Sequence, residues 1–216
     1  MIVELTAAAA LVCLDPGHGT DPGVAAQREP IGPGSPRLAV KDGGGAAGES
    51  QVALALARTT RTLLVRRGYR VVLTRDAPGY RGGNVERARF CNDRRAALML
   101  RIHADGASDP STRGVSTLYP SRRAGWTDDV AAPSLRAARR VQRALVQATG
   151  ATDRGLVARA DLTGFNWADV PVILVEVGFL SNPGERALLR TTSYRARVAR
   201  GLAEGASIFL GAAPAS

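Results

Sequence analysis

Short apolar runs alternate with helical patterns along most of this chain, and this alternation limits the possible folds more than any other feature. Two continuous apolar runs, LVCLD at 11–15 and VILVEV at 172–177, are typical of buried strands. Strands are predicted at 9–15, 69–74, 98–103, 114–119 and 172–177, and helices at 50–67, 84–97, 134–149 and 193–210. This order predicts a three-layer α/β sandwich, whose mixed, mostly parallel sheet has helices on both faces.

The length of 216 residues suits one domain, and the sequence contains no internal repeat. We therefore predict a single domain over 1–216, with a core at about 9–211. Residues 16–48 are rich in Gly and Pro and lack periodicity, so we expect a long loop there. Long loops in compact domains tend to carry function.

The chain is strongly basic, with 29 Lys and Arg against 19 Asp and Glu, a formal net charge of +10. Such a charge favours a polyanionic partner, namely nucleic acid, an anionic membrane or an anionic wall polymer. Because the cations are spread along the chain, a merely solvated surface explains them about as well. No nucleic-acid-binding motif is present and aromatics are only 5%, which disfavours a specific nucleic-acid binder.

The two cysteines, Cys13 and Cys91, form no CxxC pair, which disfavours a cysteine-based zinc site. Both lie in predicted core elements, and the simplest interpretation is two buried small hydrophobic residues. A disulfide is the alternative in an exported protein. No stretch has the roughly 20 apolar residues of a membrane span, and the start lacks the features of a signal peptide.

Polar residues follow or end three of the predicted strands. His18 follows the first, His103 ends the third, and Glu176 lies in the run VILVEV. Ligands bind at the carboxyl ends of strands in open α/β sheets, so these side chains are expected to converge. Two imidazoles and a carboxylate suit a catalytic zinc site, although a lone strand-end histidine is more often structural. A carboxylate in an apolar strand is costly unless it is paired, metal-bound or catalytic.

Six segments together resemble the zinc-dependent N-acetylmuramoyl-L-alanine amidases of the amidase type 3 family, in order and over about 11–210. The segments are LVCLDPGHG, GESQVALALA, GYRVVLTRD with VERARFCN, RIHADG, DRGLVARADL and VPVILVEVGFLSNP. The resemblance implies one Zn²⁺ held by His18, Glu49 and His103, with Glu176 as the catalytic glutamate. Glu49 also opens a predicted helix, whose dipole favours an anion. Glu29 in the same loop is a competitor that lacks a following helix.

The implied reaction is hydrolysis of the amide between N-acetylmuramic acid and L-alanine in peptidoglycan, by a hydrolase outside the cytoplasm, periplasmic or secreted. Peptidoglycan is the expected partner, with anionic wall polymers as a further one, and we expect a monomer. The alternative is a catalytically inactive pseudo-amidase that binds or regulates the wall.

Three further residues have candidate roles beside the site. Asp15 lies near His18 in sequence and is expected to orient an imidazole, or else to serve in a turn or cap. Arg101 stands where the family usually has a small polar residue, and strand alternation points it to the side of His103. It would weaken metal binding, pair with a carboxylate or contact an anionic stem peptide. Asn182 would fix the LSNP turn or contact substrate.

Overall fold

The computed structural model of the protein describes residues 9–211. Strands and helices alternate along this region, as the apolar pattern predicts. In chain order the elements are β1 (Leu11–Pro16), α1 (Pro22–Ala25), β2 (Arg28–Pro30), β3 (Leu38–Val40), α2 (Glu49–Arg66), β4 (Arg70–Leu73), α3 (Asn84–Asp93), β5 (Leu98–His103), β6 (Val115–Pro120), α4 (Ala131–Thr149), β7 (Asp153–Arg159), α5 (Thr163–Asn166), β8 (Val172–Glu176), α6 (Pro183–Arg190) and α7 (Thr192–Leu210).

Six strands form the central sheet, in the order β4-β1-β5-β8-β6-β7. All neighbouring pairs are parallel except β6 with β8, which run antiparallel, so the predicted mixed, mostly parallel sheet is confirmed. Because β1, β5 and β8 are parallel neighbours, their carboxyl ends meet at one edge. In this register His103 lies directly beside Glu176.

Apolar side chains cover both faces of the sheet, because successive residues of a strand point to opposite sides. On one face Leu14, Leu100 and Val175 belong to the core that α2, α4 and α7 complete. On the other face Met99 packs in a second cluster with Phe165 of α5 and with residues of α3. Helices therefore flank the sheet on both sides, and the predicted three-layer arrangement is confirmed.

Helices α4 and α7 pack closely against each other on the first face. Gly201 and Gly205 of α7 face Leu145 and Val141 of α4, and a Cβ at either glycine would collide with the α4 backbone. This approach buries the apolar side of α4, including Ala137, Ala138 and Ala144, and leaves its other side to solvent.

Several element boundaries differ from the predictions for local reasons. Helix α4 begins at Ala131, three residues early, because Pro133 is tolerated in a first helical turn. Helix α3 ends at Asp93 instead of 97, where Arg95 adopts a left-handed φ of 49°. The region 16–48 was expected to be a plain loop, yet it contains α1 and a hairpin of β2 and β3. The sequence pattern also missed β7, α5 and α6.

Cys13 and Cys91 form a disulfide, so the interpretation of two free buried thiols is wrong. The bond joins β1 to α3, and both residues are fully buried. Periodicity places each cysteine in a core element but does not give their mutual distance, which depends on how α3 packs on the sheet.

Candidate metal centre and active site

His18 and His103 reach the same edge of the sheet, at the carboxyl ends of its parallel strands, from the neighbouring strands β1 and β5. His103 is the last residue of β5, whereas His18 lies two residues beyond β1 in a turn. His18 has a left-handed φ of 54°, an uncommon conformation for a residue with a side chain. Two contacts hold it: its Nδ1 lies 2.6 Å from Asp42 Oδ1, and Arg87 donates a hydrogen bond to its carbonyl.

Glu49, the first residue of α2, brings a carboxylate between the two imidazoles. Its Oε1 lies 3.2 Å from His18 Nε2 and 3.0 Å from His103 Nδ1. Its Oε2 accepts a hydrogen bond from the Ala46 amide, which fixes the carboxylate plane. The ligand atoms of all three residues lie within 4.8 Å of one another.

This cluster of His18, Glu49 and His103 fits a metal ion in its chemistry and packing. Two imidazole nitrogens and one carboxylate oxygen are a donor set of catalytic zinc, which keeps one position open. Nε2 of His103 is buried and has no hydrogen-bond partner within 9–211, which is costly for a polar atom that binds nothing. A Cβ at Gly17 would collide with the His103 ring, and one at Gly45 with His18 and Glu49, so both glycines make room for the donor groups.

The charge states of the three residues are set by burial and by each other. Burial alone would lower the pKa of His18, but hydrogen bonds to Asp42 and Glu49 raise that pKa to about 9. Burial lowers the pKa of His103, which keeps its imidazole neutral, as metal ligation requires. Burial opposes ionisation of Glu49, yet the hydrogen bonds from both histidines hold its pKa below the ordinary value.

Glu176, the last residue of β8, lies beside this cluster. Its Oε2 is buried and has no hydrogen-bond partner among the described residues. Burial raises the pKa of Glu176 well above its usual value, and the negative charges of Asp105 and Glu49 raise it further. The carboxyl group faces a cleft of about 580 Å³, whose lining includes His103, Asp105, Ser116, Leu174, Glu176 and Phe179.

Comparison with known proteins shows the family to which the chain belongs. The Amidase_3 family model, described as N-acetylmuramoyl-L-alanine amidase, matches residues 12–207. The chain belongs to this amidase family. It is 35% identical to N-acetylmuramoyl-L-alanine amidase Rv3717 of Mycobacterium tuberculosis over 150 residues, which cover 66% of this chain and 61% of that protein. It is 28% identical to amidase AmiC of Neisseria meningitidis over 239 residues, 93% of this chain and 52% of AmiC.

The chain thus spans little more than half the length of these two curated relatives. A solved structure has a similar fold over almost the whole domain. The N-acetylmuramyl-L-alanine amidase Ami1 of Mycobacterium smegmatis superposes with a TM-score of 0.85 at 28% identity, covering 94% of this chain and 97% of Ami1.

Asp15 was expected to orient the His18 imidazole, but it does not contact His18. In this amidase domain Asp42 contacts that ring instead. The Asp15 side chain is fully buried and accepts hydrogen bonds from Thr74, Arg87 and Arg101. Burial would raise its pKa, but the two guanidinium groups hold that pKa well below its usual range. Because Arg87 also bonds to the His18 carbonyl, Asp15 supports the histidine turn only indirectly.

Arg101 points to the same side of the sheet as His103, as strand alternation predicts, and it pairs with a carboxylate. Its guanidinium donates to Asp15 Oδ2 at 2.8 Å and to Asn84 Oδ1 at 2.6 Å. With only 4% of the residue exposed, it does not reach a peptide in the cleft. Of the three roles considered for Arg101, the structure supports the ion pair.

Asn182 and Glu29 both serve helix starts. Asn182 caps α6: its Oδ1 accepts from the Gly184 and Glu185 amides, and its amide group donates to the Pro110 carbonyl. This arrangement fixes the LSNP turn. Glu29, the competing ligand candidate, accepts from the amides of Asn84 and Val85 at the start of α3 and lies outside the metal cluster.

Asp42 is the functional residue that sequence reasoning missed. It orients His18 and also accepts hydrogen bonds from the Thr20 and Gly44 amides. A carboxylate bonded to the second ring nitrogen of a ligand histidine fixes its tautomer and orientation. The available signal was an aspartate in the Gly-rich stretch KDGGG, six residues before the predicted helix-start segment GES.

Proposed function

We propose that this domain hydrolyses the amide bond between the lactyl group of N-acetylmuramic acid and the L-alanine of the stem peptide in peptidoglycan. The family match over residues 12–207 supports this reaction, as does the cleft that leads to Glu176 and the metal cluster. The reaction adds water across one amide: the carbonyl carbon gains oxygen, and the carbon–nitrogen bond breaks.

One zinc ion per chain is the proposed cofactor, held by His18, Glu49 and His103. When bound, zinc supplies a Lewis acid that polarises the scissile carbonyl and makes water more acidic. His18 and His103 would provide ring nitrogens and Glu49 a negative oxygen, while Asp42 keeps the His18 ring in its orientation.

Glu176 is the proposed general base and acid. Its Oε2 accepts the proton of the attacking water, and the same carboxyl group then donates a proton to the leaving alanine nitrogen. Apolar Val175 and Val177 beside it are fully buried on the opposite face, which holds the strand end rigid. The raised pKa of Glu176 favours its uptake of the water's proton, which the same carboxyl group then passes to the leaving nitrogen.

One observation carries the proposal. Two buried polar atoms, Glu176 Oε2 and His103 Nε2, have no partner among the described residues, although most buried polar atoms in proteins are satisfied. Both belong to adjacent strand ends at the same cleft. Groups that the fold leaves without internal partners at such a place are available to a metal and a substrate.

The proposed setting is outside the cytoplasm, in the periplasm or the cell wall. The disulfide supports it, because such bonds persist mainly in oxidising compartments. No helix among the described residues is both long and apolar enough to cross a membrane. Peptidoglycan is the proposed partner, and a monomer is the proposed state.

The test is digestion of a purified muropeptide with mass detection and zinc analysis of the same protein. We expect a glycan whose N-acetylmuramic acid has lost its peptide and a stem peptide that begins with L-alanine, with about one zinc per chain. The Glu176→Ala variant should retain zinc and lose hydrolysis, whereas His103→Ala should lose both. A zinc-loaded wild-type protein that leaves the muropeptide intact would instead indicate a wall-binding pseudo-amidase.

A further inference from the structure

A row of four exposed arginines runs along the outer side of α4, and this arginine stripe consists of Arg136, Arg139, Arg140 and Arg143. The spacing of three, four and seven residues places all four on one face of the helix. At 1.5 Å per residue the stripe extends over about 10 Å. Helix α4 contains no Asp or Glu, so the stripe lacks carboxylates from its own helix.

The four side chains have no internal partner in the part of the chain that the structure describes. None of them takes part in a hydrogen bond or an ion pair with residues 9–211. By contrast, Arg58, Arg61 and Arg67 on α2 and just after it all bind carboxylates. The pairs 136/140 and 139/143 place like charges four residues apart, which disfavours a helix. The stripe therefore adds charge without adding stability.

A shallow groove of about 270 Å³ adjoins the stripe. Arg139 and Arg143 line one side of it, and Val146 and Leu156 contribute apolar surface. Asp153 also lies in the groove, but its Oδ1 already accepts hydrogen bonds from Gln142 and the Gly155 amide. A flexible chain could thus place apolar atoms in the groove while its anionic groups contact the guanidinium groups.

The stripe lies on the far side of the sheet from the cleft. The inner side of α4 packs in the same core as Leu100 and Val175, whereas Glu176, next to Val175 on the strand, points to the other face. A ligand on the stripe would therefore leave the catalytic cleft open.

We infer that the arginine stripe binds a linear phosphodiester polymer of the cell wall. Arginine suits phosphate because its planar guanidinium forms paired hydrogen bonds to phosphate oxygens. A membrane is a poorer fit, because helices that lie on membranes carry large apolar side chains, and the other exposed residues of α4 include Ala132 and Gln147. The choice of a wall polymer over other phosphodiesters rests on the proposed function, which places the domain at peptidoglycan.

The test compares two variants of equal net charge. In one, all four stripe arginines become Gln; in the other, Arg66, Arg70, Arg94 and Arg122, exposed residues on other faces, become Gln. Glutamine preserves helix propensity, so both variants should melt no lower than about 2 °C below the wild type. The probe is a fluorescent glycerol-phosphate oligomer of about ten units, titrated by anisotropy at several salt concentrations.

We expect the stripe variant to bind the oligomer at least tenfold more weakly than the wild type, and the control variant less than threefold. The slope of log affinity against log salt should fall by about 3 in the stripe variant, from the loss of four phosphate contacts. Equal weakening in both variants would overturn the inference, because net charge would then explain binding. Tighter wild-type binding to duplex DNA or to anionic phosphatidylglycerol vesicles than to the oligomer would also overturn it.

Hydrolysis of a soluble muropeptide separates this inference from the proposed function. Both variants should cleave it at the wild-type rate, because neither set of arginines lines the cleft. A wild-type protein that binds the oligomer through the stripe but cleaves no muropeptide would refute the amidase proposal alone.

Discussion

Two buried clusters of charged side chains lie on the same side of the sheet. They differ in how many of their polar atoms have hydrogen-bond partners within the described residues. In the first, Asp15 receives hydrogen bonds from Thr74, Arg87 and Arg101, and none of these four side chains has an unpartnered buried atom. In the second, His103 and Glu176 each have a buried polar atom without a partner in the described residues.

The difference separates structural charge from functional charge. A buried ion pair that is complete within the chain is costly to break and holds loops in place. A buried donor or acceptor that the fold leaves unsatisfied costs stability, and such groups gather where a ligand binds. Arg101 belongs to the first cluster even though it lies only two residues from His103, so its proximity to the proposed metal ligands does not make it a substrate residue.

The largest expected effect is that of Glu176→Gln on catalysis. The variant should hydrolyse a muropeptide about 10²- to 10⁴-fold more slowly, the range of general acid–base contributions. Its free energy of unfolding should not fall, because the substitution removes a costly buried carboxyl group whose Oε2 has no described partner. Rate assays and urea unfolding check both parts. A large fall in the free energy of unfolding would show that the Glu176 carboxyl group stabilises the fold.

Asp15→Asn should have the opposite profile. It leaves Arg87 and Arg101 buried without their countercharge, and we expect a loss of about 3–5 kcal/mol in the free energy of unfolding. Asp93→Asn, an exposed change, serves as the control and should lie within about 0.5 kcal/mol of wild type. The measurement is urea unfolding at pH 7. A loss below 1 kcal/mol for Asp15→Asn would show that the first cluster is not a structural centre.

Zinc addition should raise the free energy of unfolding through the second cluster and not through the first. At a free zinc concentration 100-fold above the dissociation constant, the free energy of unfolding should rise by about 2.7 kcal/mol. Asp15→Asn should show the same increment, while Glu49→Gln should lose most of it because Glu49 is a proposed ligand. Thermal unfolding with and without zinc measures this. An undiminished increment in Glu49→Gln would place the ion elsewhere.

Asp42→Asn should weaken zinc binding without removing a ligand. Replacing a carboxylate that orients a ligand histidine costs about 10- to 100-fold in metal affinity. Competition with a colorimetric chelator gives the constant. Asp21→Asn, in the same loop region but half exposed, provides the comparison and should bind zinc as wild type does. Equal affinities in all three proteins would show that Asp42 does not support the metal site.

The smallest expected effect is the pH dependence of the Asp15 contribution. Its folded pKa lies below the ordinary value of 3.8, so its stabilisation is present above that pH and is lost as the pH falls. The difference in unfolding free energy between wild type and Asp15→Asn should be constant above about pH 5 and shrink below pH 4. Urea titrations at each pH measure it. A difference that grows on acidification would contradict the assigned direction.

The apolar pattern predicts most of the fold because buried strands and amphipathic helices leave a period in the sequence. It missed β7 because this edge strand, DRGLVAR, is mostly exposed or half-exposed and shows no regular alternation. It missed the β2–β3 hairpin because only three residues pair on each strand. Neither element has enough buried surface to impose a pattern.

The part of the site that lies at the ends of strands could be predicted from the sequence. His103 and Glu176 end neighbouring parallel strands, and their convergence follows from topology. Asp42 lies in a Gly-rich loop and Glu49 begins the helix that follows it, and periodicity does not encode the path of that loop. The family resemblance pointed to Glu49, and the only signal for Asp42 was its place in the KDGGG stretch. The pairing of Asp15 with Arg101 depends on the register of β1 with β5, which alternation alone does not give.

The disulfide between Cys13 and Cys91 also shapes the unfolded chain. Its ends are 78 positions apart, and the ring that it closes contains His18, Asp42 and Glu49, while His103 and Glu176 lie outside. For a ring of this size the loss of chain entropy in the unfolded state amounts to about 4.5 kcal/mol. Two of the three proposed ligands and the residue that orients one of them thus lie inside the closed ring, whereas β5 and β8 bring His103 and Glu176 to the centre from outside it.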